Sequence, residues 1–497
     1  MDATSPLLLG IDIGTTNVKA VIATPAGEVV AQAQQSYPVN YVKPGWVEQN
    51  PADWWNATVQ VVRDACATIT PERIAGIGVS GQGCAVTLID EAGEVIRPAI
   101  IWMDARSEPQ SERLRQCCAD DILRLNGKQP APYNADPALM WVQEHEPENF
   151  ARAHKSLTAT GYITFRLSGK PIMNVSDASI LFAFDLTQDD FSPDLIKAFG
   201  LPVSLYPRVV ACADVISTLS AEAAQLLGLS PDVPVIAGGE DTSSAGLALG
   251  AVEPGQAFLS LGTAGTVYAA QEKPVMDARL LTFAHVLPGQ SLLGGSMIAA
   301  GAALQWCRDS FGAPLSYDEL TDLAATTEPG ADNLIFLPYL NGELQPINDG
   351  YARGAFVGLS LKTTKAHMVR AVLEGTAYAI AHNLHLSAEL GTPIHEVRAV
   401  GAPTQSAVWC QIIADVMGYP LTVVPENAGA PLGNALLAAQ GVGLIADAGE
   451  VARNLPGERT TYEPRDAYRA RYDALLALYR DLYPALKPHY AALQTID

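Results

Sequence analysis

The chain has 497 residues, 48% of them hydrophobic, and a formal net charge of −22. That length exceeds what a single hydrophobic core usually serves, so two domains are expected. The acidic balance, without any Lys/Arg-rich run, excludes nucleic acid as the main partner, while a small anionic ligand held by local donors and a metal stays open.

The N-terminus, "MDATSPLLLGIDIG", lacks the basic and long apolar regions of a signal peptide, and no apolar run reaches the ~18 residues of a membrane span. A cytoplasmic protein without membrane contact is expected. "LLLGIDIG", "VKAVIAT" and "EVVAQAQ" are short apolar or alternating runs separated by turn residues, which predicts a meander of hairpins. Asn50 as N-cap with Pro51 behind it opens a helix through "NPADWWNATVQVVRDACATI", with Trp54 and Trp55 packing on the sheet. "IAGIGVSG" and "AVTLID" return to strand. Residues 105–230 are mixed, with "ALMWVQEHEPENFARA" predicted helical. Seven cysteines without a C-x-x-C pair give neither a disulfide framework nor a zinc signature, and adjacent Cys117 and Cys118 are not expected to pair. Beyond 365 lies a long amphipathic helix. A second in the tail, predicted to stop at Pro484, carries a core-facing stripe of Tyr468, Tyr472, Leu476, Tyr479 and Tyr483.

One internal echo organises the chain. "GIDIGTTNVKAVIA" and "FLSLGTAGTVYAA" are both strand, Gly-Thr turn, strand, and Gly14 and Gly262 lie half a chain apart. Glycine lets backbone N–H groups approach an anion and threonine adds a hydroxyl, so two facing tips could clamp a polyphosphate; either tip alone reads equally as a tight turn. Gly76-Ile-Gly78-Val-Ser-Gly81 fits a dinucleotide fingerprint, but a strand pattern follows it where a helix is required. The Gly-Lys pairs at 127 and 169 are followed by Gln129 and Pro171, so no P-loop exists. His382 and His385 share a helix face without further ligands and read as structural. In "VIAGGEDTSSAG" a buried strand ends on Glu240 and Asp241. Asp241 suits the base that takes a proton from a hydroxyl attacking a γ-phosphate, with a helix N-cap as its other reading. Glu240 reads as a solvated or supporting neighbour, and Asp12 as the Mg²⁺ carboxylate.

The whole chain resembles the FGGY carbohydrate kinases, closest to the xylulokinases. "GIDIGTTNVKAVI", "GWVEQNPADWW", "RPAIIWMDAR", "VPVIAGGEDTSSAG", "FLPYLNGE" and "GAPLGNALLAA" carry the likeness in order along the sequence. The resemblance implies an α/β, actin-like (ribonuclease H-like) ATPase fold with two similar domains, 1–247 and 248–497, and the active site in the cleft between them. It implies ATP and Mg²⁺ as cofactors, a small sugar as substrate, D-xylulose first, and a homodimer. Asp241 corresponds to the base, and Asp12 with Asp241 to the metal carboxylates. Gly14, Thr15 and Thr16, then Gly262 and Thr263, match the two phosphate hairpins. Gly301, Gln305, Gly401, Ala402 and Ser406 match segments bordering the nucleotide, and Gln82, Trp102, Asp104, Arg106 and Thr242 match the sugar side. This chain departs from the family at Gly83-Cys84-Ala85, where xylulokinases show Met-His-Gly, at Thr242, where they show Asn, and at Leu344, where an arginine is usual.

Overall fold

The computed structural model describes residues 5–425 and 429–493. Two seven-stranded sheets organise them. In the first, Leu7–Ile13 pairs antiparallel with Asn17–Ala23, which pairs antiparallel with Val29–Ser36. On its other side Leu7–Ile13 runs parallel to Ile74–Gly81, and Pro234–Ile236 follows. The second sheet repeats the plan: Gly255–Leu261 pairs antiparallel with Gly265–Gln271, then Ser291–Met297, and runs parallel to Ile394–Val400 with Leu421–Val423 beyond. The echo in the sequence is therefore a repeat of topology, with a Gly-Thr tip at the same corner of each sheet. The copies differ two positions ahead of the glycine, where the first has Asp12 and the second Ser260.

Burial explains the strand patterns. Leu7, Leu8, Leu9, Ile11 and Ile13 are all buried, as a central strand covered on both faces requires, whereas Val29–Ser36 alternates at the sheet edge. The helix Pro51–Cys66 begins as predicted, with Asn50 Oδ1 accepting the Ala52 N–H at 3.1 Å and both tryptophans in the first core. The helix Ala430–Gly441, from the second half of the chain, crosses onto the first sheet, and Leu432 and Leu436 share a core with Leu8, Ile236 and Leu247. Gly10 permits that crossing, since a Cβ there would lie 1.7 Å from the Pro431 carbonyl oxygen.

Three expectations are corrected. The predicted middle helix is two, Ala135–His145 and Pro147–Arg152, because Glu146 ahead of proline is forced out of the helical region to φ −131°. The tail helix runs Asp466–Leu493 straight through Pro484. Buried Tyr472, Leu476, Tyr479 and Tyr483 hold it against the second core, and that packing overrides the local breaker. Cys117 and Cys118 are joined as a disulfide; Cys117 closes one helix and Cys118, at φ −140°, stands before the next, and the break brings the sulfurs together. Among the described residues no helix is long and apolar enough to cross a membrane.

Candidate active site

The short strand Gly239–Glu240 pairs with Ser80 and Gly81 and delivers the chain to the helix Asp241–Ala248. Glu240, not Asp241, caps that helix: its Oε2 accepts the Ser243 N–H at 2.8 Å, and its own N–H donates to Ser176 Oγ at 2.8 Å. Glu240 is buried, so it is a supporting neighbour and not a solvated one. Relieved of capping, the half-buried Asp241 carboxyl accepts the Thr242 hydroxyl at Oδ1 at 3.0 Å and lies against the Glu240 carboxyl.

Asp12 sits across the sheet from Ser80, whose hydroxyl donates to Asp12 Oδ1 at 2.8 Å. Ser80 was missed in the sequence, although the parallel pairing of the two strands places it opposite Asp12. Burial, and then the charge of Asp241, push the Asp12 carboxyl up to about 7. Burial and the charge of Glu240 hold Asp241 well above the usual carboxylate range. Asp177, also missed, is buried and pushed up to about 7, chiefly by desolvation. Among the described residues none of these four carboxyls forms an ion pair with Lys or Arg. The cluster therefore gains from a bound cation. No three His, Cys, Asp or Glu side chains among the described residues converge on one metal position. Two carboxylates completed by ligand oxygens and water is the habit of Mg²⁺, so Asp12 and Asp241 fit that ion.

The two hairpin tips are built to present donors. At the first, the Gly14 carbonyl accepts from the Tyr37 hydroxyl and the Thr15 carbonyl from Gln49 Nε2 at 2.7 Å. The Trp102 indole donates to Thr15 Oγ1 at 3.0 Å, leaving that hydroxyl's own proton to donate elsewhere. At the second, the Ala300, Gly301 and Ala302 amides donate to the Thr263 and Gly262 carbonyls at 3.0, 2.8 and 3.1 Å. Among the described residues nothing accepts from the amides of Thr15 and Thr16, or of Thr263 and Ala264. Consecutive free N–H groups of this kind form an anion cradle.

Beside the second tip opens a cavity of about 660 Å³, and Gly262, Thr263, Gly301, Gln305, Ala402 and Ser406 all line it. Gly401 stands behind the wall: its φ of 114° turns the chain, and a Cβ would lie 1.8 Å from the Leu261 carbonyl oxygen. Tyr317, Asp318 and Thr321 also line the cavity. They were missed, because the Ser316–Glu319 capping box announces a helix start without saying what that helix faces.

On the other side, Gln82 is buried, donates to Gln49 Oε1 at 2.8 Å, and keeps its own Oε1 without a protein partner. Trp102 is 46% exposed above Thr15. Asp104 and Arg106 are paired and buried: Arg106 donates to Asp104 at 2.9 and 2.8 Å and to Glu48 at 2.7 Å, with its guanidinium 4.0 Å from the Trp46 ring. They brace the loop that presents Trp102. Cys84, at φ 58°, is buried with Asn134 Nδ2 3.7 Å from its sulfur. His385 lies 2.8 Å from the Met417 carbonyl, a structural bond as expected.

Residues 7–248 match the N-terminal domain, and residues 257–442 the C-terminal domain, of the FGGY family of carbohydrate kinases. The chain is 31% identical to the xylulose kinase of Escherichia coli (strain K12), over 97% of this chain and 100% of that one. Its structure is similar to that of the xylulose kinase from Rhodospirillum rubrum, with TM-score 0.92, 31% identity, and 98% and 100% of the two chains covered. It is also similar to the gluconate kinase from Lactobacillus acidophilus, with TM-score 0.93, 26% identity, and 98% and 99% covered. With two repeated sheets, paired donor hairpins and matches to both family domains, the chain belongs to the FGGY family of carbohydrate kinases.

Proposed function

We propose that the protein transfers the γ-phosphoryl group of ATP to the terminal hydroxyl of D-xylulose, giving D-xylulose 5-phosphate and ADP. Residues 1–247 supply the sugar side, the first hairpin and the base, and residues 248–497 the nucleotide side. The observation that supports this reading is the Asp241 carboxylate, which Glu240 relieves of helix capping and which is near enough to Asp12 for its charge to raise that carboxyl.

Asp241 accepts the proton of the attacking hydroxyl, whose oxygen forms the new bond to the γ-phosphorus as the bond to the β–γ bridging oxygen breaks. Thr242 fixes the carboxylate by its 3.0 Å bond. The amides of both hairpin tips and the Thr15 hydroxyl donate to phosphate oxygens as charge spreads over them. Asp12 and Asp241 would hold Mg²⁺, which would neutralise phosphate charge. The nucleoside lies in the cavity between Gln305 and Ser406, with Ala402 at its wall and Gly401 turning the chain behind it. Gln82 Oε1 and the Trp102 face meet the sugar, and Asp104 and Arg106 hold that face in place.

Cys84 and Thr242, at positions where xylulokinases carry His and Asn, favour testing other acceptors too: ribulose, L-xylulose, a deoxyhexulose, erythritol and gluconate. A sugar-dependent ADP-release assay over this panel decides. D-Xylulose is expected to give the highest kcat/KM; ATP binding without turnover on any acceptor would instead mark a non-catalytic nucleotide-binding protein.

A further inference from the structure

The strand Trp46–Gln49 pairs with Ala99 and Ile100, just ahead of Trp102, and the Val47 N–H donates to Asp104 in the loop that presents that indole. Gln49, at the end of the strand, is buried. Its Nε2 donates to the Thr15 carbonyl at 2.7 Å, and its Oε1 accepts from Gln82 Nε2 at 2.8 Å and from Trp54 Nε1 at 3.1 Å. An indole only donates and a carbonyl only accepts, so the Gln49 amide has one orientation, and it fixes that of the Gln82 amide in turn. A trans peptide is planar with its C=O and N–H opposed, so the bond that holds the Thr15 carbonyl also aims the Thr16 N–H, one of the donors of the first cradle. Trp102 reaches the same residue through its 3.0 Å bond to Thr15 Oγ1. Both side chains placed against the sugar therefore end on Thr15, in the first phosphate hairpin.

We propose that Gln49 is a positioning residue that couples occupancy of the sugar face to the phosphate donors of the first hairpin, so that acceptor and nucleotide bind more tightly together than apart. The inference rests on Gln82 and Trp102 meeting the acceptor, as in the kinase reading above. The donors run in one direction, from Gln82 to Gln49, from Gln49 to the Thr15 carbonyl, and from the Thr16 N–H to a phosphate oxygen, and each bond in such a chain polarises the next. An acceptor seated against Trp102 and Gln82 removes freedom at one end of this chain, and the Thr16 donor at the other end is ordered with it. By linkage, a nucleotide that orders Thr16 favours the acceptor by the same factor.

Isothermal titration calorimetry of the full chain with Mg²⁺ and the β,γ-imido analogue of ATP tests the coupling, run without and with a saturating amount of the acceptor that gives the highest kcat/KM in the panel above. The wild type should bind the analogue at least about fivefold more tightly with the acceptor present. Gln49→Glu keeps both bonds that Oε1 accepts and, when ionised, loses only the donor to Thr15, so at about pH 8.5 this ratio should fall below about twofold. At about pH 5.5 the protonated carboxyl regains an O–H for the Thr15 carbonyl, and the ratio should return to within about twofold of wild type at that pH. A merely structural loss would not recover in this way. Trp102→Phe, a change on an exposed side chain, removes the indole donor to Thr15 and keeps an aromatic face, and should lower the ratio at least about twofold whether or not Gln49→Glu folds. A wild-type ratio near one, a ratio unchanged in Trp102→Phe, or a Gln49→Glu ratio that does not move between the two pH values overturns the coupling and leaves a turning-over kinase standing. Turnover on no acceptor in the panel overturns the kinase reading, and the coupling falls with it.

Discussion

Replacing Asp241 with Asn separates the base from the scaffold. Asn keeps an oxygen that can accept the 3.0 Å Thr242 bond, and Glu240 still caps the helix, so the fold is retained. What is lost is the proton acceptor, and general-base catalysis contributes roughly 10²–10⁴-fold, so kcat should fall by about that factor. What is gained is relief of charge crowding. Asp241 is the second cause, after burial, of the rise of Asp12 to about 7, so removing its charge should stabilise the ligand-free protein above neutral pH by on the order of 1 kcal/mol. For a protein of this size that is about 1–2 °C in Tm. Steady-state ADP release with saturating sugar and ATP, beside differential scanning fluorimetry at about pH 8, reads both quantities. Turnover close to wild type refutes the base assignment. A Tm lowered by several degrees refutes the electrostatic reasoning, because the carboxylate would then be holding structure.

The pH dependence of stability has a definite sign. Asp12 and Asp177, pushed up to about 7, contribute stability below their ordinary carboxylate range that is lost as pH rises through about 7. Mg²⁺ with ADP should therefore raise Tm more at about pH 8 than at about pH 5.5 in a fluorimetric melt, and an equal rise would speak against an unpaired carboxylate cluster. Ser80→Ala removes the hydroxyl held 2.8 Å from Asp12, and the Mg²⁺ concentration for half-maximal activity should rise about fivefold; no change would leave Asp12 without a metal role. Thr242→Val should move the acid limb of the kcat/KM profile upward by about one unit, with Thr242→Ser restoring it. A loss of sugar affinity at unchanged pH dependence would place Thr242 on the substrate instead.

The doubled plan of the molecule was legible because a Gly-Thr tip between two apolar runs is local chemistry, and both copies preserve it around Gly14 and Gly262. The start of the helix at Asn50 and the core stripe of the tail were legible for the same reason. What escaped depends on partners distant in sequence. Asp241 reads alone as either a base or a cap, and only the 2.8 Å bond from the Ser243 N–H to Glu240 shows which acid takes the capping duty. Asp104 and Arg106 carry a sugar-side pattern, yet Glu48 and Trp46, nearly sixty residues away, absorb the guanidinium. Pro484 reads as a stop because the contacts of the neighbouring tyrosines with the second core, Tyr339 among them, are invisible in a linear string.

The most direct test of the central claim is the proton-coupled ³¹P NMR spectrum of the product formed from D-xylulose and ATP. Transfer to the C5 hydroxyl gives a phosphate monoester resonance split into a triplet by two methylene protons, which couple on to the C4 proton as those of a C1 ester do not, and the resonance grows about 10²–10⁴-fold more slowly with Asp241→Asn. A doublet, showing phosphate on a secondary carbon, or free phosphate alone, showing water as the acceptor, would contradict it.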